Sequence, residues 1–264
     1  MNSEKTKKHL PPWPVFLAVA ALAIAGCVFS RFGGFGTGLS ANADEFARYA
    51  VPVSELAVPV GTRVVALGEA THGNREFQEL KLDVSKTLVE KDRIRAFTLE
   101  GDFGGCEAVN RFIHGGEGTA EEASAAIGFA IYRTDEMADL ISWMRAYNES
   151  ASDGQDLRFY GFDMQRTENS YRFLLEEARR LGVDTADLEA IWNGDSYSDA
   201  FDSDGIADVY AALEQEITMA ESGDDAALAI HRIDSLQQGI ELSKHVDSSD
   251  YSSVRDGYMT QNTL

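Results

Sequence analysis

Three short apolar runs along the chain each end in an acid: "RVVALGE" (Arg63 to Glu69), "IRAFTLEGD" (Ile94 to Asp102) and "LRFYGFD" (Leu157 to Asp163). Val64 to Leu67 is apolar without alternation, the pattern of a strand covered on both faces, as in parallel sheets. Between the first and second runs, Phe77, Leu80, Val84 and Leu88 recur at helical spacing within Asn74 to Asp92. Between the second and third, Met137, Leu140, Ile141 and Met144 mark one face of a helix over Asp135 to Tyr147, with Thr134 as its N-cap. Strands separated by helices of this length predict right-handed crossovers and a parallel sheet, with all three strand carboxyl ends on one edge.

Beyond Gln165 the periodicity is helical throughout. Glu168 to Leu181 stops at Gly182, and Ile206 to Ala220 and Asp225 to Val246 follow with acidic outer faces. The loop "NGDSYSDAFDSDG" ends in Asp-x-Asp-x-Gly at Gly205 but lacks the later glutamate of a calcium loop. The last residues, "YSSVRDGYMTQNTL", read as the opening of another helix. The expected fold is therefore α/β: a mainly parallel sheet with flanking helices plus a helical insertion, preceded by an N-terminal hydrophobic segment. The expected domains are 1–43, a signal or anchor and tether, and 44–264, with an α/β part over 44–164 and a helical part over 165–264.

Lys5, Lys7 and Lys8 precede an uninterrupted apolar run from Val15 to Phe29. A basic start followed by such a run is the pattern of an export signal or membrane anchor. Three fates are open: a lipobox-like Ile24-Ala25-Gly26-Cys27, cleavage after Ala41-Asn42-Ala43, or an uncut anchor. Each places residues 44 onward outside the cytoplasmic membrane, as an anchored or exported domain. Residues 30–43, rich in glycine and small residues, read as a tether. The net charge of -21 over 264 residues repels phosphate backbones and argues against nucleic acid as a partner. With only Cys27 and Cys106, the expected exported body has neither a disulfide framework nor a cysteine-rich metal site.

Candidate chemistry sits where the first run turns into its helix. Glu69, Thr71 and His72 lie between Gly68 and Gly73, at the carboxyl end of a strand, where α/β sheets present reactive groups. An imidazole oriented by a carboxylate is a general base, so His72 with Glu69 fits that role. Glu100 follows Phe97 and Leu99 and would sit in a partly dry place, with Arg75 or Lys81 as the candidate cation to pair with it. Sheet topology would bring Glu69, His72, Glu100 and Asp163 to one edge. There is no Gly-x-Ser-x-Gly elbow, Walker loop, Gly-x-Gly-x-x-Gly or His-Glu-x-x-His, which favours a base that activates water over a serine nucleophile. His114, in "RFIHGGEG", is either near the same edge or a helix C-cap; Tyr132 is either a core residue or part of a ligand platform.

The segments "ALGEATHGNREFQELK", "FTLEGDF", "NRFIHGGEG", "WMRAYN", "RFYGFDMQ" and "RDGYM" occur in the order found in the erythromycin esterase family, which this chain resembles from about Asp44 to its last residue. The resemblance implies an α/β hydrolytic fold with a large helical insertion and an activity that opens macrolide lactone rings by water attack. It implies His72 as general base, Glu69 as its partner and Glu100 as a second active-site acid. Lys81 falls where macrolide esterases have an arginine, keeping the charge but losing the planar fork. Family members continue past the Arg255-Asp256 segment into a helix and a strand ending in a His-Asn-x-His motif, so the chain is expected to be C-terminally truncated. The resulting expectation is a hydrolase cleaving an ester or lactone of a macrolide-like small molecule, without cofactor. Glu69, His72, Glu100, Arg75 and Lys81 would be catalytic, with Arg75 or Lys81 stabilising the oxyanion; Asp163, His114 and Tyr132 would bind substrate. Two alternatives use the same residues: a divalent-metal hydrolase with zinc or manganese on Glu69, His72, Glu100 and Asp163, and a non-catalytic cell-envelope or binding homologue.

Overall fold

The computed structural model describes residues 47–69, 71–191, 205–220 and 223–263. The N-terminal apolar run, the tether and most of the acidic loop, residues 193–204, lie outside the described residues. The chain divides into Met1–Val51 and Pro52–Leu264, and the second unit carries the secondary structure described below.

After a single 3-10 turn at Val53–Glu55, helix α1 spans Arg75–Asp92 and leads to strand β1, Ala96–Asp102. Helices α2 (Phe103–Ile113), α3 (Ala120–Ala126) and α4 (Asp135–Ser150) separate it from strand β2, Arg158–Asp163. Then come α5 (Glu168–Leu181), α6 (Ala186–Ile191), α7 (Ile206–Ala220), α8 (Asp224–Ser243) and α9 (Tyr251–Asn262). The helix boundaries follow the local chemistry. Thr119 caps α3 in a reciprocal box with Glu122, the Thr134 hydroxyl accepts from the Met137 amide 3.2 Å away at the start of α4, and Gly182 ends α5 at φ 72°. Met137, Leu140, Ile141 and Met144 are all buried, as their spacing predicts.

β1 and β2 pair in parallel from Ala96↔Arg158 to Leu99↔Gly161, with a register shift before Asp102↔Asp163. Gly161 lies at this shift because no side chain fits: a Cβ there would stand 2.5 Å from the Asp102 carbonyl oxygen and 2.7 Å from Cys106 Sγ. The two strand ends therefore approach closely over the buried Cys106.

Two apolar clusters result. One gathers the sheet with α2, α3 and α4 around Phe159, Ile141 and Ile113; the other gathers α5, α7 and α8 around Tyr210, Leu174 and Ile233. The Arg232 guanidinium of α8 joins them by reaching Glu107 of α2 at 2.7 and 2.9 Å.

One expectation needs correction. Among the described residues the parallel sheet has two strands, and Arg63 to Glu69 is extended without forming a third. Val64 is 82 % exposed, despite sitting in the most strand-like run of the sequence. A strand needs a neighbouring backbone at hydrogen-bonding distance, and here a cavity of about 720 Å³ lies between this segment and β1.

Candidate active site

The carboxyl ends of β1 and β2 bring Glu100, Asp102 and Asp163 to one edge of the sheet. The Glu69 segment meets that edge through α1. Lys81 Nζ donates to Glu69 Oε2 at 2.6 Å and to Gln78 Oε1 at 3.0 Å, while Gln78 Nε2 reaches Glu69 Oε1 at 3.4 Å. Gln78 and Lys81 share a helix face three residues apart, so α1 presents an amide and an ammonium together to one carboxylate. His72 Nδ1 lies 3.7 Å from Glu69 Oε1, too long for a hydrogen bond but within reach of a modest turn of an imidazole that is 55 % exposed.

Tyr132 stands between the two halves of the site. Its ring centroid is 5.6 Å from Lys81 Nζ and its hydroxyl donates to the Glu100 carbonyl oxygen at 3.0 Å. Burial pushes its phenol well above the usual range, and the carboxylates of Glu100 and Glu69 push it further. Tyr132, Glu69, His72, Lys81 and Glu100 all line the cavity beside β1.

Arg255, near the start of α9, closes the other half. Its Nη2 donates to Glu100 Oε1 at 2.7 Å and also bonds Asp163 Oδ2, and its Nε donates to Asp163 Oδ2 at 3.0 Å. Asp163 is fully buried and takes a further bond from the Gln165 amide at 2.7 Å. Burial works against the Arg255 charge, but the two carboxylates outweigh it and hold its pKa above the ordinary value. Contacts from Asn262 Nδ2 to the Phe162 carbonyl (3.1 Å) and from Gln165 Nε2 to the Tyr251 hydroxyl (2.6 Å) seat α9 against the end of β2.

The structure thus brings Glu69, His72, Lys81, Glu100, Tyr132 and Asp163 to one region, and leaves two expected members out of it. Arg75 is held by Glu79 at 2.8 Å and Glu136 at 3.0 Å, with its side chain largely in water, so it does not serve the Glu69 carboxylate. His114 caps the end of α2, which starts at the carboxyl edge and runs back toward the amino edge. Its Nδ1 faces the Asn110 carbonyl at 2.6 Å and its Nε2 faces Asp156, ahead of β2, at 3.1 Å. The proposed metal set does not converge either: Glu69 is engaged by Lys81, while Glu100 and Asp163 are engaged by Arg255. No group of three or more His, Cys, Asp or Glu among the described residues has a metal-binding arrangement.

Two contributors escaped the sequence reading. Gln78 is one polar position among several on an amphipathic helix, with no local signal that marks it. Arg255 was legible only as part of "RDGYM"; nothing in its spacing says that α9 folds back onto β2.

A parallel strand pair whose carboxyl ends carry acids, faced by a histidine-bearing turn and packed beside a helical layer, defines an α/β protein with a polar site on the sheet edge. Residues 89–264 match the sequence profile of the erythromycin esterase family. The chain belongs to that family. Erythromycin esterase type II of Escherichia coli is 30 % identical to it over 163 residues, which cover 62 % of this chain and 37 % of the relative. Among solved structures, a succinoglycan biosynthesis protein superposes with a TM-score of 0.57 at 20 % identity, covering 74 % of this chain and 51 % of the other. A mutant of erythromycin esterase EreC in its open conformation superposes with a TM-score of 0.53 at 17 % identity, covering 83 % and 59 %. The chain therefore spans well under half the length of that curated relative and just over half of the structural ones. No helix of the described residues is long and apolar enough to cross a membrane.

Proposed function

We propose that this chain carries the water-activating half of an ester- or lactone-hydrolysing site for a macrolide-like small molecule. The observation that carries the reading is the sharing of one carboxylate: Glu69 holds Lys81 at 2.6 Å and stands 3.7 Å from His72 at the mouth of a cavity. In this reading His72 takes a proton from water as the water oxygen bonds the substrate carbonyl carbon. Glu69 orients the imidazole. Lys81 uses two of its three N–H groups on Glu69 and Gln78, and the third serves the developing oxyanion. Collapse of the tetrahedral adduct breaks the ester C–O bond, and the imidazolium returns its proton to the leaving alkoxide. Glu100, fixed by Arg255 and close to Tyr132, is the second acid of the rim. No metal is required by these steps.

The apolar run Val15 to Phe29 supports an anchored or exported protein whose folded part, residues 44–264, faces away from the cytoplasm, with the α/β portion 44–164 carrying the base and the helical portion 165–264 supplying Arg255.

The test is turnover of p-nitrophenyl esters and of erythromycin by the 264-residue chain and its His72→Ala variant. General-base loss lowers kcat/KM by about 10²–10⁴, with the unfolding midpoint unchanged because the imidazole is largely exposed. Equal turnover by the two proteins sinks the assignment.

A further inference from the structure

Gln78 is 5 % exposed and lies three residues before Lys81 on α1. Both ends of its amide are used. Oε1 accepts from Lys81 Nζ at 3.0 Å and Nε2 donates to Glu69 Oε1 at 3.4 Å, while Lys81 Nζ donates to Glu69 Oε2 at 2.6 Å. The three side chains thus close a ring of hydrogen bonds. Only one orientation of the amide serves it, because a flipped amide would turn its NH2 on the ammonium and its oxygen on the carboxylate.

Glu69 is divided by this ring. Lys81 holds Oε2, and Oε1 is left to Gln78 Nε2 and to His72 Nδ1, 3.7 Å away. A carboxylate turns readily about its last bond, whose torsion is broad and two-fold. An ammonium is a point charge and does not fix the plane of the group it holds. A second donor does: the amide and the ammonium, on one helix face, bracket the two oxygens much as the prongs of a guanidinium would. The tautomer of His72 follows from that orientation. A proton on Nδ1, directed at Glu69 Oε1, leaves the lone pair of Nε2 for water. With the imidazole 55 % exposed, water serves either nitrogen and the choice falls to Glu69. We propose that Gln78 is a positioning residue of this site, fixing the Glu69 carboxylate so that Oε1 faces His72 Nδ1 and Nε2 is the base. Its consequence for turnover rests on the hydrolase reading; its consequence for the imidazole proton does not.

Nitrogen-15 NMR of the histidine rings tests this in the 264-residue chain at mildly alkaline pH, with His72 assigned through His72→Gln. The parent should carry the His72 proton on Nδ1 and none on Nε2. Gln78→Met removes both amide bonds, whereas Gln78→Glu keeps an acceptor for Lys81 and turns a second carboxylate toward Glu69. In each variant the His72 nitrogens should move toward the mixed-tautomer average of a free imidazole, while His114, His231 and His245 keep their shifts. With a p-nitrophenyl ester, both variants should lose about tenfold in kcat at little change in KM, less than the loss expected for His72→Ala. A parent His72 protonated on Nε2, or variant His72 shifts equal to the parent's, overturns the proposal. One check needs no variant to fold: the Gln78 side-chain amide protons of the parent should exchange about tenfold or more slowly than those of an exposed glutamine, and equal rates overturn it. Turnover that depends on His72 while its shifts ignore Gln78 would remove Gln78 from a standing hydrolase reading. Gln78-dependent shifts without any turnover would keep the proposal and sink that reading.

Discussion

Lys81 Nζ lies 2.6 Å from Glu69 Oε2, and the two side chains are only 12 % and 13 % exposed. In a pair this far from water desolvation offsets much of the attraction, yet breaking it from one side leaves a charge without its partner. Lys81→Met leaves the Glu69 carboxylate with Gln78 and the exposed His72 as its remaining neighbours. The expected loss is about 1–3 kcal/mol in urea unfolding at neutral pH. Lys81→Arg restores a charge that bonds a carboxylate through a fork and should lose less than about 1 kcal/mol. Equal losses in the two variants would mean that side-chain shape, not charge, holds this corner together.

Arg255 makes the equivalent test on the other half of the site, bonding Asp163 across 92 residues of sequence. Asp163 is fully buried, so Arg255→Gln strands a buried carboxylate and should cost about 3–5 kcal/mol. Adding Asp163→Asn to that variant removes the stranded charge and should recover a clear part of the loss. If the double variant is as unstable as the sum of the singles, the ion pair is not the reason α9 stays docked.

Much of this architecture was legible before any coordinates, and the exceptions share a cause. Local periodicity reads out helices whose own side chains decide their burial: Met137, Leu140, Ile141 and Met144 behave as their spacing says. The same run-based reading of Val64 to Leu67 fails among the described residues, because pairing depends on a neighbouring backbone that local apolar character does not reveal. Glu100 and Asp163 could be placed on one edge because each lies at the end of a strand, a rule of strand direction, whereas Glu69 meets that edge through Gln78 and Lys81 of α1. His114 takes the helix C-cap position that its place before Gly115 allows, but the long-range contacts of Arg75 and His114 could not be read. Their partners, Glu136 and Asp156, are separated from them by 61 and 42 residues, so nothing local in the sequence shows them.

Asp102 carries a pH dependence that the sequence did not suggest. Its Oδ2 accepts from the Gly105 amide at 2.6 Å, its Oδ1 has no partner, and it is fully buried. Burial holds its carboxyl well above the usual range, against the opposing pull of the Gly105 bond. Below about pH 4 both folded and unfolded chains keep this proton, and the group costs nothing. As pH rises further, the unfolded chain releases it and the folded chain retains it, so stability drains by up to about 1.4 kcal/mol per unit until the native group ionises too. Asp102→Asn keeps an oxygen for the cap and has nothing to ionise. The variant should therefore gain on the parent as pH rises above about 4 in urea titrations; a difference that does not change with pH would exclude the mechanism.

The bridge between the two apolar clusters makes an asymmetric prediction. Arg232 is 3 % exposed and is held by Glu107, with its Nη1 lacking a partner. Glu107 also accepts from Arg111 Nε at 3.0 Å, and Arg111 has Glu176 at 2.8 Å as a further counter-ion. Losing Arg232 therefore leaves Glu107 still paired, whereas losing Glu107 leaves Arg232 buried without this carboxylate. Glu107→Leu should cost about 3–5 kcal/mol and Arg232→Met about 1–3 kcal/mol. The double variant replaces a buried ion pair by apolar groups while Arg111 keeps Glu176, so it should be more stable than Glu107→Leu alone. That inequality is measured by urea unfolding of the four proteins at one pH, as a double-mutant cycle. If the double variant is instead the least stable, the pair contributes through its geometry, fixing how α8 sits on α2, and not merely through charge compensation.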